Sequence, residues 1–271
     1  MAPLLRSVLG AIFPVALFLA SLSPAGAQWL GHKDPAAPRT ANGNPNLVAP
    51  APKTPDGRPD LSGIWEREAA PNAPKSNPAG LPGSLLYFMP KGAEIPMRPA
   101  AEQLFKQRAA SLGAGRPTQR CLPHGIPDAM LYGGPLQIVQ NPRMTLILYE
   151  EFNHFRQIFA DGRALPVDPQ PTWLGYSTGK WEGDAFVVES SGFNDQTWLD
   201  DTGHPHTDAL RTTERFRRRD FGHLELTVTI DDPKAYTKPW SVSIPHKLLP
   251  DTDLIESICE NEKDNVHMLG R

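Results

Sequence analysis

The clearest pattern in the chain is HLELTVTI at 223–230, where Leu224, Leu226, Val228 and Ile230 alternate with His223, Glu225, Thr227 and Thr229. A period of two puts one set on a buried face and the other in water, which predicts a strand. The same reading extends along most of the chain. PLQIVQ and MTLILYE flank the turn Asn141-Pro142-Arg143, and HFRQIFA runs into Asp161-Gly162. GKWEGDAFVVES folds back at Gly183-Asp184, and RTTERFRRRD meets HLELTVTI around Phe221-Gly222. PDLSGIWERE at 59–68 opens the series, and WSVSIPHKLL and DLIESICE close it. This makes about nine short strands, most of them joined by tight turns.

One segment carries the other period. PAAEQLFKQRAASL at 99–112 spaces Leu104, Phe105, Ala109 and Leu112 helically, with Pro99 at a first-turn position and Gly113 past the end. No strand–helix alternation appears, so a parallel sheet is not expected. Consecutive hairpins predict an all-β, mainly antiparallel, up-and-down barrel of about 8–10 strands with one short helix. No internal repeat at a fixed period stands out.

Two stretches lack either period. Residues 8–22 are almost wholly apolar behind Arg6, and Ala25-Gly26-Ala27 offers a small-x-small cleavage site. The run is short for a membrane span, so 1–27 reads as a signal peptide. The mature chain is expected to be periplasmic or secreted, with no membrane span after cleavage. Residues 28–57, rich in Pro, Ala, Asn and Gly, read as an extended N-terminal arm with little structure of its own. The remainder, 58–271, reads as a single barrel domain.

Composition narrows the partners. Lys plus Arg number 27 against 30 Asp plus Glu, and the formal net charge is −3. The one basic concentration, Arg215, Arg217, Arg218 and Arg219, is interleaved with Glu214 and Asp220. It reads as a polar strand face, and no nucleic-acid partner is expected. The two cysteines, Cys121 and Cys259, are expected to pair in an oxidising compartment. Closing a loop of that length stabilises by roughly 4–5 kcal/mol on the chain-entropy model.

RPDLSGIW at 58–65, TWLGYSTGKWEGDAFVVESSGFND at 172–195 and ERFRRRDFGHLELTVTIDDPKAYTKPW at 214–240 resemble a family of uncharacterised exported bacterial proteins. With CLPHGIP at 121–127 and ICEN at 258–261, the resemblance covers nearly all of the mature chain. It implies one exported domain and no particular reaction. Gly63-Ile64-Trp65 is also similar to the Gly-x-Trp that opens lipocalin-like barrels, which implies a barrel that holds a small ligand.

The candidate chemistry centres on His204-Pro205-His206-Thr207-Asp208, in a loop that feeds the strand beginning near Arg211. Alternate residues on an extended chain project to one side, so His204, His206 and Asp208 can converge. The leading expectation is a cofactor-independent isomerase, lyase or cyclase acting on a small hydrophobic or aromatic molecule in a barrel cavity. In it His204 or His206 carries the proton, Asp208 orients the ring and Arg211 stabilises developing negative charge. His154, Arg156 and Glu214, on polar strand faces, and the aromatics Trp173, Tyr176 and Trp198 are candidates to line the pocket. Two alternatives stand beside it. One is a carrier that binds without converting. The other is zinc or copper bound through His204, His206 and Asp208, which needs a remote ligand such as His124 or His154. No Gly-x-Ser-x-Gly elbow, phosphate loop or dinucleotide fingerprint is present.

Overall fold

The computed structural model describes residues 32–73, 83–255, 257 and 259. The signal peptide predicted at 1–27 lies outside them. Nine strands close into one barrel in sequence order. They are β1 (Gly63–Arg67), β2 (Leu136–Gln140), β3 (Met144–Tyr149), β4 (Phe155–Phe159), β5 (Tyr176–Glu182), β6 (Ala185–Ser191), β7 (Arg211–Arg218), β8 (His223–Asp231) and β9 (Trp240–Leu248). The expected all-β, lipocalin-like barrel is therefore present.

Neighbours pair antiparallel, including the closing pair of β1 with β9, except that β4 and β5 run parallel. A closed ring with an odd number of strands cannot alternate direction throughout, so one parallel pair is obligatory. The pure up-and-down meander is corrected at this point. Residues 160–175 carry the chain back along the barrel instead of turning it.

The alternation read from the sequence is the alternation of burial. On β8 the four apolar residues Leu224, Leu226, Val228 and Ile230 face inward. On β9 Trp240, Val242, Ile244, His246 and Leu248 do the same. Full burial of each aliphatic side chain contributes roughly 1.5–3 kcal/mol. On β7 the inward set is Thr212, Glu214, Phe216 and Arg218, so Arg215 and Arg217 point to solvent.

Among the described residues the lumen holds packed side chains, with a buried ion pair among them. Arg156 on β4 meets Glu214 on β7 through two hydrogen bonds, Nη1 to Oε1 at 2.9 Å and Nη2 to Oε2 at 2.5 Å. Its Nε donates to Ser177 Oγ and its Nη2 also donates to Ser190 Oγ. Burial opposes the charge on Arg156, but Glu214 outweighs burial and raises its pKa. Arg156 and Glu214 hold each other, and Arg156 also lines a groove of about 450 Å³ beside β4 and β5.

The registers place loops 68–135, 150–154, 192–210 and 232–239 at one rim of the barrel. The N-terminal arm and the short turns sit at the other. The first of these loops holds helix α1 (Pro99–Ala110) and the single turn α2 (Asp128–Leu131). Helix α1 keeps Ala101 buried and lays Phe105 flat on His204, with ring centroids 4.0 Å apart. Among the described residues no helix is long and apolar enough to cross a membrane.

The arm departs from the expected extended chain. PRTANGNPNL at 38–47 and PKTPDGRPDL at 52–61 form the same turn twice. Thr40 N donates to Asn44 O at 2.8 Å, and Thr54 N to Arg58 O at 2.9 Å. Gly43 and Gly57 take φ of +84° and +83°, where a side chain would be strained. Leu61, at the end of the second turn, is buried, and its carbonyl accepts from Trp65 Nε1. Behind the first turn, Leu47 O and Ala49 O accept from Gly222 and Phe221. Arg39 clamps Asp251 through Nη1 and Nη2. Each turn thus straps the arm to the barrel.

Candidate functional site

At the loop-rich rim a cleft of about 240 Å³ opens between the 68–135 and 192–210 loops. Its walls include Arg67 from the end of β1, His124 and Asp128 around α2, and Asp201. Tyr87, Phe88 and Tyr132 supply the aromatic surface.

His124, only 6% exposed, stands between two carboxylates. Nδ1 lies 2.5 Å from Asp128 Oδ2, and Nε2 lies 2.6 Å from Glu151 Oε2. The second contact is an ion pair. A carboxylate at each nitrogen favours the imidazolium, which donates from both. Burial disfavours that charge, but Asp128 and Glu151 outweigh it and raise the His124 pKa well above the ordinary imidazole range. Burial raises Asp128 as well, against the pull of His124.

Asp201 completes the group, with Arg116 Nε 3.2 Å from its Oδ1. Burial, with the charge of Asp128 close by, lifts Asp201 to about 7, against the pull of His124 and Arg116. Its proton is therefore exchangeable near neutrality.

The backbone around these groups is strained where it presents them. Phe152 and Asn153, just after Glu151, both lie in the left-handed region, with φ of +55° and +54°. Cys121, three residues before His124, takes φ of +57°. Left-handed non-glycine residues gather where the surrounding structure holds a site in place. Here the disulfide of Cys121 with Cys259, as expected from the sequence, ties the C-terminal segment across this rim. Ile255 N and Ser257 N donate to Glu150 Oε2 and Asn153 Oδ1 on the same loop as Glu151.

His124, Asp128 and Asp201 offer ligand atoms within 4.8 Å of one another, close enough for a small divalent cation. Such an ion would have to displace Asp128 or Glu151 from the imidazole nitrogens.

The HPHTD segment is built differently from expectation. Its carboxylate partner is Asp200, whose Oδ2 sits 2.7 Å from His204 Nδ1. Asp200 is fully buried and also accepts from Leu85 N, Gly203 N, His204 N and Thr202 Oγ1. Burial works against its charge, but His204 and these donors outweigh it and hold its pKa low. The His204–Asp200 pair therefore locks the loop. His206 Nδ1 donates to Thr207 O, and its Nε2 meets Thr197 Oγ1 at 2.6 Å, while burial lowers its pKa and keeps it neutral. Asp208 orients neither ring, because it is exposed and paired with Lys234. Arg211 is exposed at the start of β7. His204, His206 and Asp208 thus do not converge, for catalysis or for metal.

The other candidates scatter. His154 is half-buried with Phe152 edge-on to its ring, and burial lowers its pKa. Trp198 is buried beneath Arg108, whose guanidinium carbon is 4.3 Å from the ring centre. Trp173 is half-buried, and Tyr176 is exposed in a separate groove beside β4 and β5 that Arg156 also lines. The sequence signal for the observed site was modest. His124 and Asp128 are four residues apart in HGIPD, but Glu151 and Asp201 come from distant loops.

Comparison with family models, curated proteins and solved structures finds no match for this chain.

Proposed function

We propose that the protein is an exported enzyme that moves protons on a small organic molecule bound in the His124 cleft. The chemistry is that of an isomerase or lyase without an organic cofactor. The observation that carries this reading is a pair of titratable groups set apart by their surroundings, the usual arrangement for an acid and a base. His124, held as imidazolium between Asp128 and Glu151, is the proton donor. Asp201, poised near neutrality, is the acceptor. Asp128 and Glu151 position the ring, and Arg116 holds Asp201. The chain's export, its kinship with exported bacterial proteins and its hold on a small-molecule partner belong to the same reading, which the disulfide supports.

The test is thermal unfolding of the protein from Gln28 onward across a panel of small molecules, with product analysis of each binder. A ligand selective for the native state raises the melting temperature. Conversion of a binder by the wild type, lost in His124→Gln and Asp201→Asn variants that still bind it, supports the enzyme. Binders that are never converted support a carrier. A melting temperature that rises with a divalent cation, and does so only while His124 is present, overturns the proton-transfer reading.

A further inference from the structure

We infer that the cleft takes a small carboxylic acid bearing hydroxyl groups, with Arg67 as the anchor for the carboxylate. This rests on the proton-transfer reading of the cleft and names its substrate class. Arg67, the last residue of β1, lines the same cleft as His124, Asp128 and Asp201. Its Nη1 donates to Glu68 O at 2.8 Å, while its Nε is buried and has no partner among the described residues. Buried guanidinium nitrogens ordinarily have partners, as all three of Arg156 do in the lumen. An orphaned donor on a guanidinium that lines a cleft points to a ligand acceptor, and a carboxylate matches its fork.

The charge around the cleft agrees. Arg67, His124, Asp128 and Asp201 line it, while Arg116 pairs with Asp201 and Glu151 with His124. Asp201 is partly protonated near neutrality, which leaves one positive charge incompletely balanced. A ligand with a single negative charge completes the set. The carboxylates of Asp128 and Asp201 in the lining can accept from hydroxyls, and the exposed Tyr132 ring offers an apolar face. At about 240 Å³ the cleft is smaller than the roughly 300–1,000 Å³ that buries a drug-sized ligand, so the acid is small.

The experiment uses matched probes: lactate, mandelate and glucuronate, each against its own amide. Binding is followed by the Arg67 Nε–H resonance in ¹⁵N NMR and by melting temperature. The expected result is a saturable shift with at least one acid and binding at least tenfold weaker for its amide. Arg67→Gln should abolish the preference, and Arg67→Lys, which keeps the charge, should retain part of it. The inference is overturned if no acid binds, if acid and amide bind equally, or if Arg67→Gln leaves the preference intact. A neutral compound converted by both wild type and Arg67→Gln overturns it while sparing the proton-transfer reading. An acid held through Arg67 but never converted does the reverse.

Discussion

Replacing Asp201 by asparagine should stabilise the protein at pH 8 and change it little near pH 4. The carboxyl titrates at about 7 in the folded chain against 3.8 when unperturbed. Each unit of pKa corresponds to about 1.4 kcal/mol, so full ionisation costs the native state about 4 kcal/mol. The sign follows from proton counts. Between pH 3.8 and about 7 the native state holds a proton that the unfolded state has released, so stability falls as pH rises through that window. Asparagine has no charge to desolvate and escapes the loss. Arg116 is left without its carboxylate, but its side chain is 27% exposed and water takes part of that role. Urea unfolding at pH 4.5 and pH 8 measures the difference directly. For a chain of this size about 4 kcal/mol corresponds to a melting shift on the order of 10 °C. A gain independent of pH, or no gain at pH 8, would refute the reasoning. A gain in stability accompanied by a loss of turnover is what a residue kept for chemistry should show.

Three further outcomes follow from the geometry. Glu214→Ala strands the Arg156 guanidinium in the lumen and should cost about 3–5 kcal/mol in urea unfolding, whereas Arg156→Met with Glu214→Leu should recover most of it. His246 is fully buried and burial lowers its pKa to about 4, so stability should fall by about 3 kcal/mol as pH drops from 6.5 toward 4. The unfolded histidine takes up a proton in that window while the native one does not, and His246→Leu should flatten the profile. Reducing the bond between Cys121 and Cys259, which spans 138 positions, should lower unfolding free energy by about 5 kcal/mol, read from urea curves with and without dithiothreitol.

Barrel strands were legible because burial on one side imprints a period of two, and β8 and β9 show it without interruption. The helix was legible from Pro99, which starts it, but not through burial: Leu104 and Leu112, read as part of its apolar face, are exposed, and its buried residue is Ala101. The parallel β4–β5 pair was not, because strand direction depends on where the 160–175 segment travels and not on its own pattern. The doubled turn of the arm was readable in principle. Pro-x-Thr-x-x-Gly-x-Pro-x-Leu occurs at 38–47 and again at 52–61, yet proline content masked it as featureless chain. The histidines of HPHTD attracted attention through local density. Density does not reveal a partner, and Asp200, four residues before His204, locks that ring. The His124 site draws on loops whose meeting depends on barrel closure and the disulfide, so only the His124–Asp128 spacing was local.

The most direct measurement of the central claim is hydrogen–deuterium exchange into bound ligands, followed by ¹H NMR in D₂O. The account predicts that a compound bound in the cleft exchanges a C–H proton in the presence of the wild type. The rate should rise as pH passes through about 7 and collapse in Asp201→Asn. Binders that keep all their C–H protons, or that exchange them equally fast with Asp201→Asn, would contradict it.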